Sequence, residues 1–355
     1  MERVSVTLIT ATHPCVPFCS FLVAYSSLMQ AVILAAGRGR RLHPFTLKRS
    51  KAMMPVAGKP MVGRVLDRLI QNEVSDLIMV TRPGDHEIRR YFQEQSLPGI
   101  ALKWVIQPEP LGMAQALSLA APYLRESFLV TSCDNLTPVS HVADLLATHQ
   151  SRKANATLSL MEMNSGSKAL GSTVKFDQGQ VRRIIEKPAP DEILSRITSL
   201  PLYIFSLQLL DYLSDVSLSP SGECALQDAI QLLIERKGKV AGVFTPSRMQ
   251  LTDADDLLAL NRHYLSRQRD PPCLPPDCIG SGTHLVSPLG IEPGTTIGSH
   301  CTIGPDVYIE SNCTIGANVL LQDAVILRDT RIEDGREIVG QVLAPERASR
   351  AGNRK

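Results

Sequence analysis

The chain of 355 residues has almost no net charge: 37 basic against 35 acidic residues leave it at +2. No whole-molecule field points to a nucleic-acid or membrane partner, so any anion must be held by a local arrangement. The eight cysteines include no CxxC pair. That excludes the common zinc-ribbon spacing, and their scatter through a large chain excludes a dense disulfide framework, so they read as reduced thiols of a cytoplasmic protein. No run of 18 clean apolar residues occurs, which argues against a transmembrane helix. No Ser-His-Asp or Cys-His arrangement is recognisable, so a nucleophilic side chain is not expected.

What is present is ample apolar material, 44% of the residues, enough for two domains. Residues 1–28 are apolar, carry only Glu2 and Arg3 besides one histidine, and are interrupted by prolines. They make a poorly formed signal peptide and read instead as an extension or an over-long start before Met29. From there the pattern runs strand 31–35, helix 61–74, strand 75–81, helix 85–95, strand 101–106, helix 113–124 and strand 127–132. That alternation predicts an α/β fold with a mostly parallel sheet and ligands beyond the carboxyl ends of its strands. A mixed region from about 155 to 265, with strands, helices near 206–213 and 225–236, and a last helix at 253–265, is placed as a substrate-specific half. The proline-rich stretch 269–277 then ends a domain spanning 29–268.

Beyond it, Ile279, Leu285, Ile291, Ile297, Ile303, Ile309, Ile315, Leu321 and Leu327 stand six residues apart. A hexad repeat of this kind predicts a parallel β-helix of roughly three coils, placed at 278–332 and followed by a polar tail over 333–355. It is similar to the left-handed β-helix of hexapeptide-repeat proteins. His284 and His300 could serve there as the base of an acyltransferase, but the solenoid is short and has no long inserted loop, which favours a structural or oligomerising role.

The stretch AVILAAGRGRRLHPFTLKRSKAMMPVAGKP, residues 31–60, passes from a strand into a glycine-bearing basic loop. Gly37 and Gly39 let backbone N–H groups approach an anion, Arg38, Arg40 and Arg41 supply forked donors, and Lys51 follows. This is a polyphosphate cradle, although Leu42 replaces the third glycine of a dinucleotide fingerprint and the GK[ST] ending of a P-loop is missing. SCDN at 132–135 ends a strand with an acid, and Asp134 there is either a Mg²⁺ ligand or a turn-capping residue.

The run AAGRGRRLHPFTLKRSKAMMPVAGKP resembles the signature of the sugar-1-phosphate nucleotidyltransferases, and Ser50-Lys51 leans towards their glucose-1-phosphate thymidylyltransferase branch. QPEPLGMAQAL at 107–117, SCDN, IIEKP at 184–188 and GECALQDAI at 222–230 resemble further family segments in the same order. The resemblance implies a Rossmann-like nucleotidyltransferase domain and the attack of a hexose-1-phosphate on the α-phosphorus of a nucleoside triphosphate, dTTP or UTP favoured, releasing pyrophosphate. It implies Mg²⁺ at Asp134, phosphate contacts from Ala36, Gly37, Gly39, Arg41 and Lys51, base contacts from Gln107 and Gly112, and sugar-phosphate contacts from Gly171, Glu186, Lys187 and Glu223, with Asp228 also matching.

One departure stands out. Aligned on DADDLLALN at 253–261, the family's second Mg²⁺ aspartate falls on Gln250 and its tryptophan on Arg248, with Asp253 as a nearby substitute. A neutral glutamine lowers metal affinity. Two alternatives follow: a non-catalytic nucleotide-sugar-binding regulator, and a bifunctional enzyme with an acyltransferase β-helix. By analogy with both parts, a homo-oligomer assembled through the β-helix or the nucleotidyltransferase domain is expected.

Overall fold

Residues 30–34, QAVIL, are buried from end to end because parallel strands flank them on both sides. The structure is a computed structural model and describes residues 29–163, 171–219, 222–268 and 275–345. The expected extension 1–28, residues 269–274 of the proline-rich stretch and the end of the tail lie outside the described residues.

The first half runs β1 (Gln30–Leu34), α1 (Met61–Ile70), β2 (Asp76–Thr81), α2 (His86–Glu94), β3 (Ala101–Ile106), α3 (Met113–Ala120), β4 (Phe128–Ser132) and α4 (Val139–Ser151). The second half adds β5 (Ala156–Glu162), β6 (Ser172–Asp177), β7 (Gln180–Glu186), β8 (Ile197–Phe205), α5 (Leu226–Arg236), β9 (Val240–Phe244) and α6 (Ala254–Leu265). All nine strands form one sheet, in the order β3-β2-β1-β4-β8-β5-β9-β7-β6. The first four are parallel; β8 runs antiparallel to both β4 and β5, β9 pairs parallel with β5, and β7 is antiparallel to β9 and β6. The region after 155 therefore extends the first sheet rather than building a separate half. Helix α4 is an element the sequence pattern did not single out. The helix expected near 206–213 is a 3-10 helix over Leu207–Asp215.

The strand period of two explains both faces of the sheet. Val32, Val80 and Val130 join Leu117 and Ile230 in one apolar cluster. Ile33, Met79 and Leu129 join Leu66, Phe92 and Leu145 in the other. Each such side chain, fully buried, contributes about 1.5–3 kcal/mol.

The C-terminal strands stack in parallel with an 18-residue offset: Leu285 lies beside Ile303, Ile291 beside Ile309, and Ile297 beside Ile315. In the next coil the offset becomes 17, with Ile309 beside Ile326, Ile315 beside Ile332 and Leu321 beside Ile338. The six-residue register thus slips after Leu321. Ile326 takes the axial place and packs in the solenoid core, whereas Leu327, expected there, joins a separate cluster with Met54, Val56 and Leu257 of the first domain. The boundary expected at 332 also moves, because the strand Glu337–Leu343 continues the parallel ladder on the strand Leu320–Ile326. The described part of the stretch read as a polar tail, residues 333–345, includes Ile338 and Val342, both buried.

Candidate active site

Parallel strands β1, β2 and β4 end on the same edge of the sheet, so the segments leaving them meet there. A cleft of about 490 Å³ opens at that edge, lined among others by Ala36, Arg38, Arg40, Thr46, Arg82 and Pro110. The glycine loop is held by its own packing. Gly39 takes φ 60°, and a Cβ there would stand 3.1 Å from Lys51 Cβ and 3.3 Å from Thr46 Cγ2, while the Thr46 hydroxyl donates to the Gly39 carbonyl at 2.8 Å. At Gly37 a Cβ would meet nothing within 4 Å, so the protein leaves room beside that backbone. Arg38 and Arg40 face the cleft; Arg41 is exposed outside its lining and forms no hydrogen bond or ion pair among the described residues.

Beneath the loop, the Lys51 ammonium is in direct contact with Asp134 Oδ2, joining the loop after β1 to the end of β4. Burial alone would raise the Asp134 carboxyl, but the Lys51 charge and hydrogen bonds from Lys51 and Ser132, with Arg248 adding, hold it below the usual carboxylate range. Asp134 is therefore an ionised acceptor at neutral pH. Next to it, burial pushes the Cys133 thiol up to about 12, leaving it inert.

The candidates for a second metal ligand separate cleanly. The short strand Met249–Gln250 pairs with Asn135–Leu136, putting Gln250 opposite Asn135, and the Leu251 N–H donates to the Asp134 carbonyl at 3.0 Å. Asp253 is occupied as the N-cap of α6, accepting from the Asp256 N–H at 3.1 Å, which satisfies one of the unpaired amides of that helix end. Among the described residues no group of three or more His, Cys, Asp or Glu side chains could hold a metal ion. One ionised carboxylate with a glutamine beside it still fits Mg²⁺, which takes one or two carboxylates and completes its shell with water and substrate phosphates.

Of the residues expected to read the base, Gln107 is buried at the end of β3. Its Nε2 donates to the Gly112 carbonyl at 3.1 Å and to Gln115 Oε1 at 2.6 Å. Both partners are acceptors, which fixes the amide orientation and leaves Oε1 free among the described residues. Gly112 has φ 102°, and a Cβ on it would fall 2.4 Å from the Cys224 carbonyl oxygen and 2.7 Å from its nitrogen. Segments 107–117 and 222–230 are thereby sewn together, with Cys224 N–H donating to Leu111 O at 2.7 Å and Ala114 N–H to Cys224 O at 3.2 Å.

Among the residues expected to contact a sugar phosphate, the Lys187 N–H donates to the Gly171 carbonyl at 2.8 Å, and its ammonium pairs with Glu223 at 2.9 Å in an exposed position. Burial, reinforced by Asp228 and Glu223 and opposed by Lys187, pushes the Glu186 carboxyl up to about 7. Burial likewise raises Asp228. Gln227 donates to the Tyr203 hydroxyl at 3.4 Å. The solenoid histidines stand far from a built site: His284 is exposed, and His300, at φ 58°, stacks where a Cβ on Gly282 would go.

Sequence reasoning missed two cations here. Arg82, directly after β2, reaches the cleft and donates to Asp85 at 2.9 Å; its signal is its place at a strand's carboxyl end. Arg248 donates from Nε to Asn135 Oδ1 at 2.8 Å, and the sequence shows it only as a departure from tryptophan.

Residues 30–266 match the model described as nucleotidyl transferase, and residues 285–349 match the one described as the GMPPB C-terminal domain. The chain is 29% identical over 240 residues to the bifunctional protein GlmU of Methanococcus maripaludis, covering 67% of this chain and 55% of that protein. It is 29% identical over 212 residues to the UTP–glucose-1-phosphate uridylyltransferase AglF of Haloferax volcanii, covering 59% of this chain and 85% of that protein. A solved UDP-glucose pyrophosphorylase, complexed with UDP-glucose, shares the fold with a TM-score of 0.62 at 17% identity, over 68% of this chain and 99% of that one. The chain spans about half the length of the GlmU proteins it matches. No helix among the described residues is long and apolar enough to cross a membrane. With a match spanning more than half of its length, the chain belongs to the nucleotidyl transferase family, in the sugar-1-phosphate branch that its signature residues resemble.

Proposed function

We propose that the protein transfers a nucleotidyl group from a nucleoside triphosphate, dTTP or UTP by preference, to a hexose-1-phosphate, in the cytoplasm. The observation that carries this reading is the contact between Lys51 and Asp134 under the glycine loop. It places a cation and an ionised carboxylate at the strand ends where a triphosphate would lie.

In the reaction a phosphate oxygen of the sugar-1-phosphate attacks the α-phosphorus, the bond to the bridging oxygen breaks, and pyrophosphate leaves with that electron pair. Catalysis then rests on orienting two anions and stabilising charge rather than on a nucleophilic side chain. Backbone amides at Ala36, Gly37 and Gly39, with Arg38 and Arg40 from the cleft wall, hold the β- and γ-phosphates, Arg41 reaches them only by swinging its exposed side chain over the loop, and Lys51 neutralises the α-phosphate. Asp134, with Gln250, would hold Mg²⁺, which supplies charge neutralisation on the phosphates. Gly171, Glu186, Lys187 and Glu223 receive the sugar phosphate.

The free Oε1 of Gln107 supports the preference for thymine or uracil, because it can accept the N3–H that both bases present. The test is pyrophosphate release across dTTP, UTP, GTP, CTP and ATP against glucose-, N-acetylglucosamine- and mannose-1-phosphate, with Lys51→Ala and Asp134→Asn as controls. Turnover with one pair, lost in both variants, bears the reading out; nucleotide-sugar binding without turnover makes the protein a binding regulator instead.

A further inference from the structure

Arg248, half-buried beside Asn135, lacks the ionic partner that a partly desolvated guanidinium normally has. It immediately precedes the strand Met249–Gln250, and the strand period of two puts residues 248 and 250 on one face. Its Nε is held by Asn135, the residue next to Asp134. Among the described residues its Nη1 and Nη2 make no hydrogen bond, no carboxylate lies within 4 Å of them, and neither is a sealed, unsatisfied atom. The fork is anchored through Nε and has both Nη groups free.

Charge sharpens the point. Burial disfavours the Arg248 cation, and the groups that face it and offset this are Asp134, Tyr203 and Asp256. Asp134 belongs to the nucleotide side, while Tyr203 is hydrogen-bonded to Gln227 of the segment that also carries Glu223. Arg248 is thus within electrostatic reach of Asp134 on one side and of Tyr203, which also feels Glu186, on the other, so a phosphate held between Asp134 and Glu186 would lie near it. Lys187 pairs with Glu223 in an exposed position, where water screens the pair. Among the described residues Arg248 is a cation near Asp134 with no ionic partner, and Gln250 beside it contributes no negative charge.

We propose that Arg248 binds the phosphoryl group of the sugar-1-phosphate through its two free Nη donors. This rests on the transferase reading above and adds a substrate contact to it. A planar fork matches two phosphate oxygens, and a site with one carboxylate instead of two tolerates such a cation next to Asp134. The residue serves binding of the attacking phosphate and so bears on specificity for a phosphorylated sugar.

The full chain, with Arg248→Gln and Arg248→Lys, tests this by titration calorimetry with glucose-1-phosphate and with inorganic phosphate in EDTA, alongside sugar-phosphate KM, kcat and thermal midpoint. Loss of a charge-assisted fork should weaken both ligands by about tenfold or more in Arg248→Gln, with partial recovery in Arg248→Lys and NTP affinity unchanged. Equal phosphate affinity in wild type and Arg248→Gln, with turnover intact in the wild type, overturns the assignment alone. A wild type that binds neither phosphate nor nucleotide overturns the transferase reading with it.

Discussion

Arg49 and Glu310, 261 positions apart, form a buried two-pronged ion pair, with Nη1 and Nη2 at 2.9 and 2.8 Å from the two carboxylate oxygens. Glu310 follows the solenoid strand Val307–Ile309, and Arg49 lies two residues before Lys51. The β-helix therefore grips the signature loop directly. Glu310 also accepts the Arg328 N–H at 2.8 Å, and Arg328 pairs with Glu87 at 2.6 Å. Glu310→Ala removes both hydrogen bonds of the buried Arg49 fork and leaves it only the looser Glu87 pairing at 3.7 Å, so it should cost about 3 kcal/mol. Urea unfolding of the single and paired variants measures it: Arg49→Met with Glu310→Leu should recover most of the loss, and a cost below about 1 kcal/mol for Glu310→Ala would show that water already satisfies Arg49.

With Glu186 in its proposed sugar-contacting role, a carboxyl pushed up to about 7 should make sugar binding depend on pH near neutrality. A carboxylate accepts hydroxyl hydrogen bonds better than its protonated form, so sugar-phosphate KM should fall as pH rises through 7. Sugar phosphates titrate nearby, so the readout is the difference from Glu186→Gln, in which this component should vanish. For stability the sign is opposite. The native carboxyl binds its proton more tightly than in the unfolded chain, so its contribution is complete below the ordinary pKa of 4.5 and is lost as pH rises towards 7.

Gly112→Ala places a Cβ against the Cys224 backbone in a positive-φ conformation. Main chain cannot yield as a flexible side chain does, so a loss of about 1–3 kcal/mol is expected. The displaced turn should also raise KM for the nucleoside triphosphate while leaving KM for the sugar phosphate nearly unchanged. Steady-state kinetics with each substrate varied decides it; an unchanged nucleotide KM would remove this turn from base recognition.

Gln250→Asp supplies a second carboxylate opposite Asn135, beside Asp134. Mg²⁺ affinity, read by calorimetry and by the metal concentration giving half-maximal turnover, should rise by about tenfold, since carboxylate count sets affinity at oxygen sites. No change would mean that the side chain at 250 does not reach the ion.

Much of the site was legible because its residues carry local chemistry. Gly37, Gly39 and Lys51 lie in one loop; Gln107, Asp134 and Glu186 each lie at or just past the end of a strand, where α/β sheets present ligands. Less legible was what depends on pairing across the chain. Nothing local distinguishes Arg49 from other loop cations, and in the sequence Arg248 is only a departure from tryptophan, whereas in the fold it meets Asn135. Asp253 reads from sequence as a spare metal ligand, whereas in the fold it caps α6.

By itself the sequence determined the alternating α/β start, the glycine-bearing basic loop after the first strand and the repeating solenoid, because strand period, glycine placement and hexad spacing are short-range signals. Tertiary structure decided where the second-half strands join the sheet, that the register slips after Leu321 so that Leu327 turns to the first domain, and which cations remain unpaired. Those outcomes turn on which surfaces bury each other and which charges find partners, and residues hundreds of positions apart settle both.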